Sequence, residues 1–384
     1  MSSSNSFNIN TTNYQNKKRL TIYMVDSHSC ILRGGAIQCV NLAITLSERG
    51  HSVSCFFAKP TNNKFEKQFD NLKKHKIPIF FYDLKNPFSI LKMRQQIIDG
   101  KPEIIHTHKN KALWAVFLSV FNKKQFVWFA NRGTVYSLKT KPFAFFIHKH
   151  FVDKIIAVSD AVKNSLIRDG IDKSKIEVVY GSFDPHKFHP SINDLQILRK
   201  WGILGQGKVV GLIGSFVSKK KGHKVFLQAA KLIINSHPYT YFVLIGDGNY
   251  KDIYNFAKSL GIEKNVFFPG FCENVENAIS ALDIIVSASL YGEGLTGTLR
   301  EALAMEKPVI STDVAGNNEI IHNHKTGLLV PPGDPEALCN AIIYLIDNPE
   351  KSKLFAKQGH ELVHGLCTNE YRTTIIEKLY KSML

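Results

Sequence analysis

The chain has 384 residues, 44% of them apolar and 21% charged, and carries a formal net charge of +17. That length allows two domains with sizeable cores, and the composition excludes a disordered or fibrous protein. The longest continuous apolar run, Ala112 to Phe121, is about ten residues, well short of a membrane span. Six scattered cysteines (Cys30, Cys39, Cys55, Cys272, Cys339, Cys367) form no C-x-x-C pair and read as reduced, buried thiols of a cytosolic protein, with no zinc site or disulfide framework.

The first sixteen residues, "MSSSNSFNINTTNYQN", are polar and fit neither a secretory leader nor a stable element. From there short Ile/Val/Phe-rich runs alternate with helical patterns, the signature of βαβ units and parallel sheets. Strands are expected at 20–25, 53–58, 78–84, 103–108, 126–130, 154–159 and 177–181. The segment "GSFDPHKFHPSIND" (Gly181 to Asp194) breaks the alternation and reads as a linker. The pattern restarts with strands at 209–216, 240–246, 265–270, 283–289, 308–312 and 327–332. The expected division is a tail at 1–18, a first domain at 19–188, a second at 189–365, and a closing helix at 366–384 that could cross back. Two doubly wound Rossmann-like domains in tandem would face a central cleft, where open α/β sheets bind ligands.

The charge is uneven. Residues 1–190 hold 29 Lys/Arg against 13 Asp/Glu, whereas 191–384 hold 20 against 19. The basic half interleaves cations with aromatics in "KTKPFAFFIHKHF" (Lys139 to Phe151). Such a field attracts polyanions or an anionic lipid surface; a merely solubilising face is the plainer reading.

Three strand-to-helix turns could hold an anion on backbone N–H groups: "RGGAIQ" with Gly34 and Gly35, "IGSFVSKKKGH" with Lys219 to Lys221 before Gly222, and "IGDGNY" with Gly246 and Gly248. None matches the nicotinamide or P-loop fingerprint. Lysines at a helix start oppose the helix dipole, so an anion there would offset the arrangement. In "YGEGLTGTLREALAMEKPVISTDVAGNNEII", Glu293 and Glu301 are separated by seven residues of a glycine-rich turn that runs into a helix. On one continuous helix they would diverge by about 80°, so Glu293 is expected in the loop and Glu301 in the first helical turn. "TLRE" (Thr298 to Glu301) is also a capping-box pattern, in which Glu301 reaches back to the Thr298 N–H.

At these residues the chain resembles the family 4 retaining glycosyltransferases of the two-domain GT-B fold. The likeness runs through "LAITLSERGHSV", "EIIHTH", "DKIIAVSDAV", "VVYGSFDPHKF", "KKKGH", "LIGDG", "VFFPGF", the E-x7-E block and "TGLLVPPGDPEAL", nearly the whole chain after residue 18. The resemblance implies that Glu301 accepts from ribose hydroxyls, that Glu293 contacts the donor sugar, and that the N–H groups of Gly294, Leu295 and Thr296 meet sugar or diphosphate oxygens. It implies that Lys221 neutralises the diphosphate, that Gly35 approaches it, and that the loop with Phe271 and Val275 holds the base. Where many relatives have an arginine this chain has Ser215, for which Lys219 or Lys220 could substitute; where many have a histidine it reads "FANRGTVYS", with Asn131 and Arg132. The implied activity is retaining, metal-independent transfer of a hexose from a UDP-, GDP- or ADP-sugar, without cofactor, to a glycan or lipid-linked acceptor in lipopolysaccharide or surface-polysaccharide synthesis. The implied setting is cytoplasmic, with the inner membrane face as a surface the basic half could meet, and no nucleic acid partner. A GT-B nucleotide-sugar epimerase and a non-catalytic polyanion-binding protein are the alternatives. His106 and His108, at another strand end, read as buried structural residues or as site residues.

Overall fold

The computed structural model describes residues 18–28, 34–59, 68–120 and 125–384; the expected tail, except Lys18, and Cys30 lie outside them. Among the described residues two parallel sheets form. The first joins β1 (Thr21–Asp26), β2 (Ser52–Ala58), β3 (Ile79–Tyr82), β4 (Ile104–His108), β5 (Val127–Arg132), β6 (Lys154–Ala157) and β7 (Ile176–Val178) in the order β3-β2-β1-β4-β5-β6-β7. The second joins β8 (Lys208–Ile213), β9 (Thr240–Ile245), β10 (Val266–Gly270), β11 (Ile284–Ser287), β12 (Val309–Thr312) and β13 (Leu328–Val330) in the order β10-β9-β8-β11-β12-β13. Each expected strand is present within a few residues of its expected bounds. Runs such as β1 and β4 are apolar without alternation because helices cover both faces of a parallel sheet.

Both orders reverse once, between β1 and β4 and between β8 and β11, which opens a crevice at the carboxyl ends of those strands. On one face of the first sheet pack α3 (Pro87–Gly100), α4 (Asn110–Val120), α5 (Pro142–His150) and α6 (Asp160–Arg168). On the other pack α1 (Gly34–Glu48), α2 (Asp70–Lys74) and, from the far end of the chain, α14 (Asn369–Ser382). The second sheet is covered by α8 (His223–Ser236), α9 (Lys251–Ser259), α10 (Val275–Ser280), α11 (Gly297–Ala304), α12 (Pro335–Asp347) and α13 (Pro349–Leu366), with a short α7 (Gln196–Lys200) before β8.

The chain passes between domains twice, and the two passages lie side by side. In the linker Phe183 is buried; its N–H donates to the Cys367 carbonyl at 2.8 Å, and its own carbonyl accepts from the Asn369 N–H at 3.1 Å. The Gln38 amide on α1 holds Ser182 by both backbone groups, at 2.7 and 2.6 Å. After that strap α14 returns to α1. Arg49 reaches Glu370 at 2.5 Å and Glu377 at 2.9 Å, and His106 Nδ1 lies 2.6 Å from the Tyr380 hydroxyl.

Burial disfavours the charged form of Glu377, but Lys381 and Arg49 outweigh it and hold its carboxyl near a pKa of about 2. A depressed carboxyl contributes stability above its unfolded pKa of about 4.5, and that contribution is lost as pH falls toward 2. Glu377→Ala removes the nearly buried carboxylate that Arg49 and Lys381 share, while Arg49 keeps Glu370, so it should lower the unfolding free energy at pH 7 by about 1–3 kcal/mol. Urea denaturation at pH 7 and pH 3 checks this: the difference between parent and variant should shrink at the lower pH.

Candidate active site

The lysine turn is fixed by backbone geometry. Lys219–Lys221 forms a 3-10 turn that ends on Gly222 at φ +70°, where a Cβ would lie 1.8 Å from the Ala288 carbonyl oxygen, so only glycine fits. The Leu290 N–H donates to the Lys220 carbonyl at 2.7 Å, tying this turn to the loop after β11. The aliphatic stem of Lys221 lies over Gly214 at the end of β8. Lysines and loop therefore converge on Glu293: Lys221 Nζ at 2.9 Å, Lys220 Nζ at 3.4 Å and Ser289 Oγ at 3.2 Å, all on Oε1. Glu293 is buried. Desolvation alone would raise its pKa, yet Lys221 and Lys220 overcome that and hold it below the usual carboxylate range. The carboxylate supplies the anion that the lysine turn at the start of α8 calls for. A pocket beside it is lined by Lys221, Ser287, Ser289, Thr296, Thr298 and Leu299.

Glu301 departs from expectation. The helix starts at Gly297 with Thr296 as its N-cap, so Glu301 is the fifth helical residue and lies beyond the first turn. The capping box does not form, because the helix already begins at Gly297 and Thr298 lies inside it rather than at its N-cap. Instead the Thr296 N–H donates to the buried Asn317 Oδ1 at 3.0 Å, and Asn317 Nδ2 donates to Ser311 Oγ at 3.0 Å. The Glu301 carboxylate folds back over Gly297, 3.9 Å from where a Cβ would stand. Burial raises its pKa, against Arg300 and Lys187.

The first domain meets this loop directly. A Cβ on Gly294 would come within 2.4 Å of the Gly133 carbonyl oxygen, and one on Gly292 (φ +76°) within 2.2 Å of the Tyr136 hydroxyl. Lys220 Nζ lies 5.9 Å from the Tyr136 ring centre. Glu319 of the second domain accepts the N–H groups of Asp160 and Ala161 at the start of α6, both at 2.9 Å. Asn131 and Arg132 end β5 just before these contacts; Asn131 Oδ1 accepts from Arg372 at 3.4 Å, and Arg132 donates to the Tyr136 carbonyl.

The structure thus gathers Lys220, Lys221, Glu293 and the Gly294–Thr296 turn in one place, with Asn131 and Arg132 on the facing strand. Ser215 follows β8 but its hydroxyl turns to the Asp247 carbonyl at 3.5 Å. Gly35 lies in the first turn of α1 against His28, which is 2.5 Å from Asp26. Phe271 is exposed and Val275 opens α10, beyond the edge strand β10. Sequence reasoning missed Ser289, only four positions from Glu293, and also Tyr136, Asn317 and Glu319, which act across separations no short motif spans. His106 and His108 are fully buried and stacked at 4.7 Å, and burial pushes both imidazoles toward neutrality. Asp26, Cys39 and His108 bring ligand-type atoms within 4.8 Å of one another, a grouping the scattered cysteines did not announce. Burial keeps the Cys39 thiol protonated.

Two family models match the two domains in turn: Glycosyltransferase Family 4 over residues 32–187 and Glycosyl transferases group 1 over 207–348. The chain belongs to this glycosyltransferase family. It is 26% identical over 317 residues to an Escherichia coli UDP-Gal:alpha-D-GlcNAc-diphosphoundecaprenol alpha-1,3-galactosyltransferase, covering 79% of this chain and 80% of that protein. It is 26% identical over 346 residues to the Staphylococcus aureus capsular polysaccharide glycosyltransferase CapM, covering 84% and 89%. The crystal structure of Anabaena HepE with UDP and glucose superposes with a TM-score of 0.83 at 20% identity, over 95% of this chain and all of that one. The fold is therefore GT-B, as the resemblance implied.

The glycine contact between this glycosyltransferase's domains is testable. Gly294→Ala overpacks it and should cost about 2 kcal/mol. Because relief requires the two loops to part, small-angle scattering should give a larger radius of gyration than the parent. Unchanged stability and radius would show that the loops are not held in contact.

Proposed function

We propose that this glycosyltransferase moves a sugar from a UDP-sugar, with retention and without a metal, onto a lipid-linked glycan acceptor in surface-polysaccharide synthesis, working in the cytoplasm against the membrane face. The observation that carries this reading is the convergence of Lys221 and Lys220 on Glu293 at the carboxyl end of the second sheet, opposite the Asn131–Arg132 strand end. UDP as the base-bearing group draws on HepE, whose structure holds it; the lipid-linked acceptor draws on the E. coli relative, whose name specifies a diphosphoundecaprenol carrier.

In this reading the second domain, taken as residues 189–365, holds the donor, and the first, residues 19–188 with the closing helix, presents the acceptor. Cleavage of the sugar–phosphate bond leaves an electron pair, and hence charge, on the diphosphate. Lys221 and Lys220, together with the N–H groups of Gly294, Leu295 and Thr296 where α11 begins, stabilise it; fixed cations and dipoles that need no reorganisation lower the barrier most. With two lysines supplying that charge, the scheme needs no divalent ion. Glu301, whose pKa burial raises, accepts from ribose hydroxyls, and Gly35 lets the first domain approach the diphosphate closely. Phe271 and Val275 flank the base. Lys221 must turn from Glu293 toward phosphate as the donor binds, which frees Glu293 for the sugar hydroxyls; Asn131 and Arg132 face that sugar.

The lysine exchange separates the two roles. In Glu293→Gln the lysines lose a competitor, so UDP alone should bind as well as or better than in the parent, while transfer from the UDP-sugar falls by about 100-fold. Lys221→Ala should weaken UDP by about 10- to 100-fold, the worth of a charge-assisted contact. Thermal-shift titration with UDP, GDP and ADP measures the first quantity, since a ligand of the folded state raises its stability. Radiolabel transfer with and without EDTA measures the second, and proton NMR of the product gives its anomeric configuration. No stabilisation by any of the three nucleotides would overturn the proposal.

A further inference from the structure

The helices α3, α4 and α5 lie side by side on one face of the first sheet: Arg94 on α3 donates to the Ser119 carbonyl on α4 at 2.8 Å, and Trp114 on α4 packs on Phe143 of α5 at 5.8 Å between ring centres. Their inward stripes, with Met93, Ile97, Ala115, Val116, Ala144 and Ile147, enter the core. Their outward faces are also apolar. Phe88 is 80% exposed, Leu91 58%, Leu118 52%, Phe146 44%, Phe143 41% and Ile98 38%. On α3 the exposed set Phe88, Leu91, Lys92, Gln95 and Ile98 repeats at helical spacing and so forms one outward stripe. Lys92, Lys111 and Lys149 stand exposed among these side chains, while Asp99 is the sole acid in the three helices, and it is held by Gln95 at 2.7 Å.

Water does not account for this pattern. Exposed apolar side chains on a soluble surface are ordinarily scattered, and six of them gathered on three adjacent helices beside cations of one sign mark a surface that meets something. We propose that the α3–α4–α5 face is where this glycosyltransferase docks on an anionic lipid surface, its lysines at the level of the headgroup phosphates and Phe88, Leu91, Phe143 and Phe146 among the upper acyl carbons. Among the described residues no helix is long and apolar enough to cross a membrane, so the contact is interfacial, the mode in which apolar area and cationic charge act together. Nucleic acid fits less well. Phosphates would satisfy the lysines and bases could stack on the phenylalanines, but Leu91, Ile98 and Leu118 offer neither stacking nor hydrogen bonds.

This inference deepens the membrane reading given under Proposed function, and its test is independent of the transfer chemistry. Purified protein is sedimented with phosphatidylcholine vesicles containing or lacking phosphatidylglycerol, at low and high salt. The parent should bind the anionic vesicles and retain part of that binding at high salt. The triple variant Lys92→Glu, Lys111→Glu, Lys149→Glu should bind them about 100-fold less. Phe88→Ser with Leu91→Ser should lose the salt-resistant part, about tenfold. Every altered side chain is exposed, and an unchanged thermal shift with UDP in each variant shows that the fold and donor site persist. Vesicle binding that is equal in parent and variants, or absent from the parent while UDP still stabilises it, would overturn the docking face and leave the transferase reading standing. Oligonucleotide binding that outcompetes the vesicles and vanishes entirely at high salt would overturn it in favour of a nucleic acid partner.

Discussion

The two chain passages between domains are held as one strap by the backbone hydrogen bonds of Phe183 with Cys367 and Asn369. Much of the site's geometry depends on that strap. Because both passages lie together, the domains can approach across the cleft without straining two separate connections, and Gln38 fixes the linker end to α1 through Ser182. The same passage launches α14, whose fully buried Arg372 reaches the Gln38 carbonyl at 3.2 Å and Asn131 at 3.4 Å. A residue from the end of the chain thereby orients a strand-end residue of the candidate site, and the ion pairs of Arg49 with Glu370 and Glu377 keep that residue in place.

Across the cleft, contact rests on absent side chains. Gly292, Gly294 and Gly316 each lie where a Cβ would collide with Tyr136, Gly133 or Ser159 of the first domain. The loop carrying Glu293 is thus pressed between domains, and the two lysines beside its carboxylate outweigh the burial that would raise its pKa. Glu301 has the opposite balance, with burial outweighing Arg300 and Lys187. Two carboxylates eight positions apart are pushed in opposite directions by their surroundings, the usual mark of divided roles. One competes for the same cations as a phosphate would, and the other is suited to hydroxyl groups.

The strands were readable because a sheet covered on both faces demands uninterrupted apolar runs, and thirteen such runs punctuate the sequence. The KKKG turn and the two glutamates were readable because each is compact in sequence. What could not be read lies in long-range partnership. Thr298 matched a capping box, yet Asn317, twenty-one positions beyond Thr296, holds the turn that starts the helix two residues earlier than that box requires. Tyr136 gives no local sign that it will meet Gly292, nor Glu319 that it will cap α6. On α3 both stripes of "PFSILKMRQQII" are apolar, so periodicity alone could not tell the core-facing stripe of Met93 and Ile97 from the outward one of Phe88, Leu91 and Ile98.

The charge of the first domain now has a physical address. Exposed charges are screened within about 8 Å at physiological salt. Lysines on the outward faces of α3, α4 and α5 therefore act on whatever lies against those faces, and not on an anion held by Lys221 in the other domain. In the proposed reading the donor's charge would be met locally, by Lys220 and Lys221, in a domain whose own charges nearly cancel, 20 against 19 in residues 191–384. An excess of cations that cannot serve the donor, placed beside apolar side chains that water does not favour, is best matched by a surface offering anionic groups and hydrocarbon at adjacent depths. A bilayer bearing the acceptor offers both, and docking there would hold the first domain's strand ends within reach of a lipid-carried substrate.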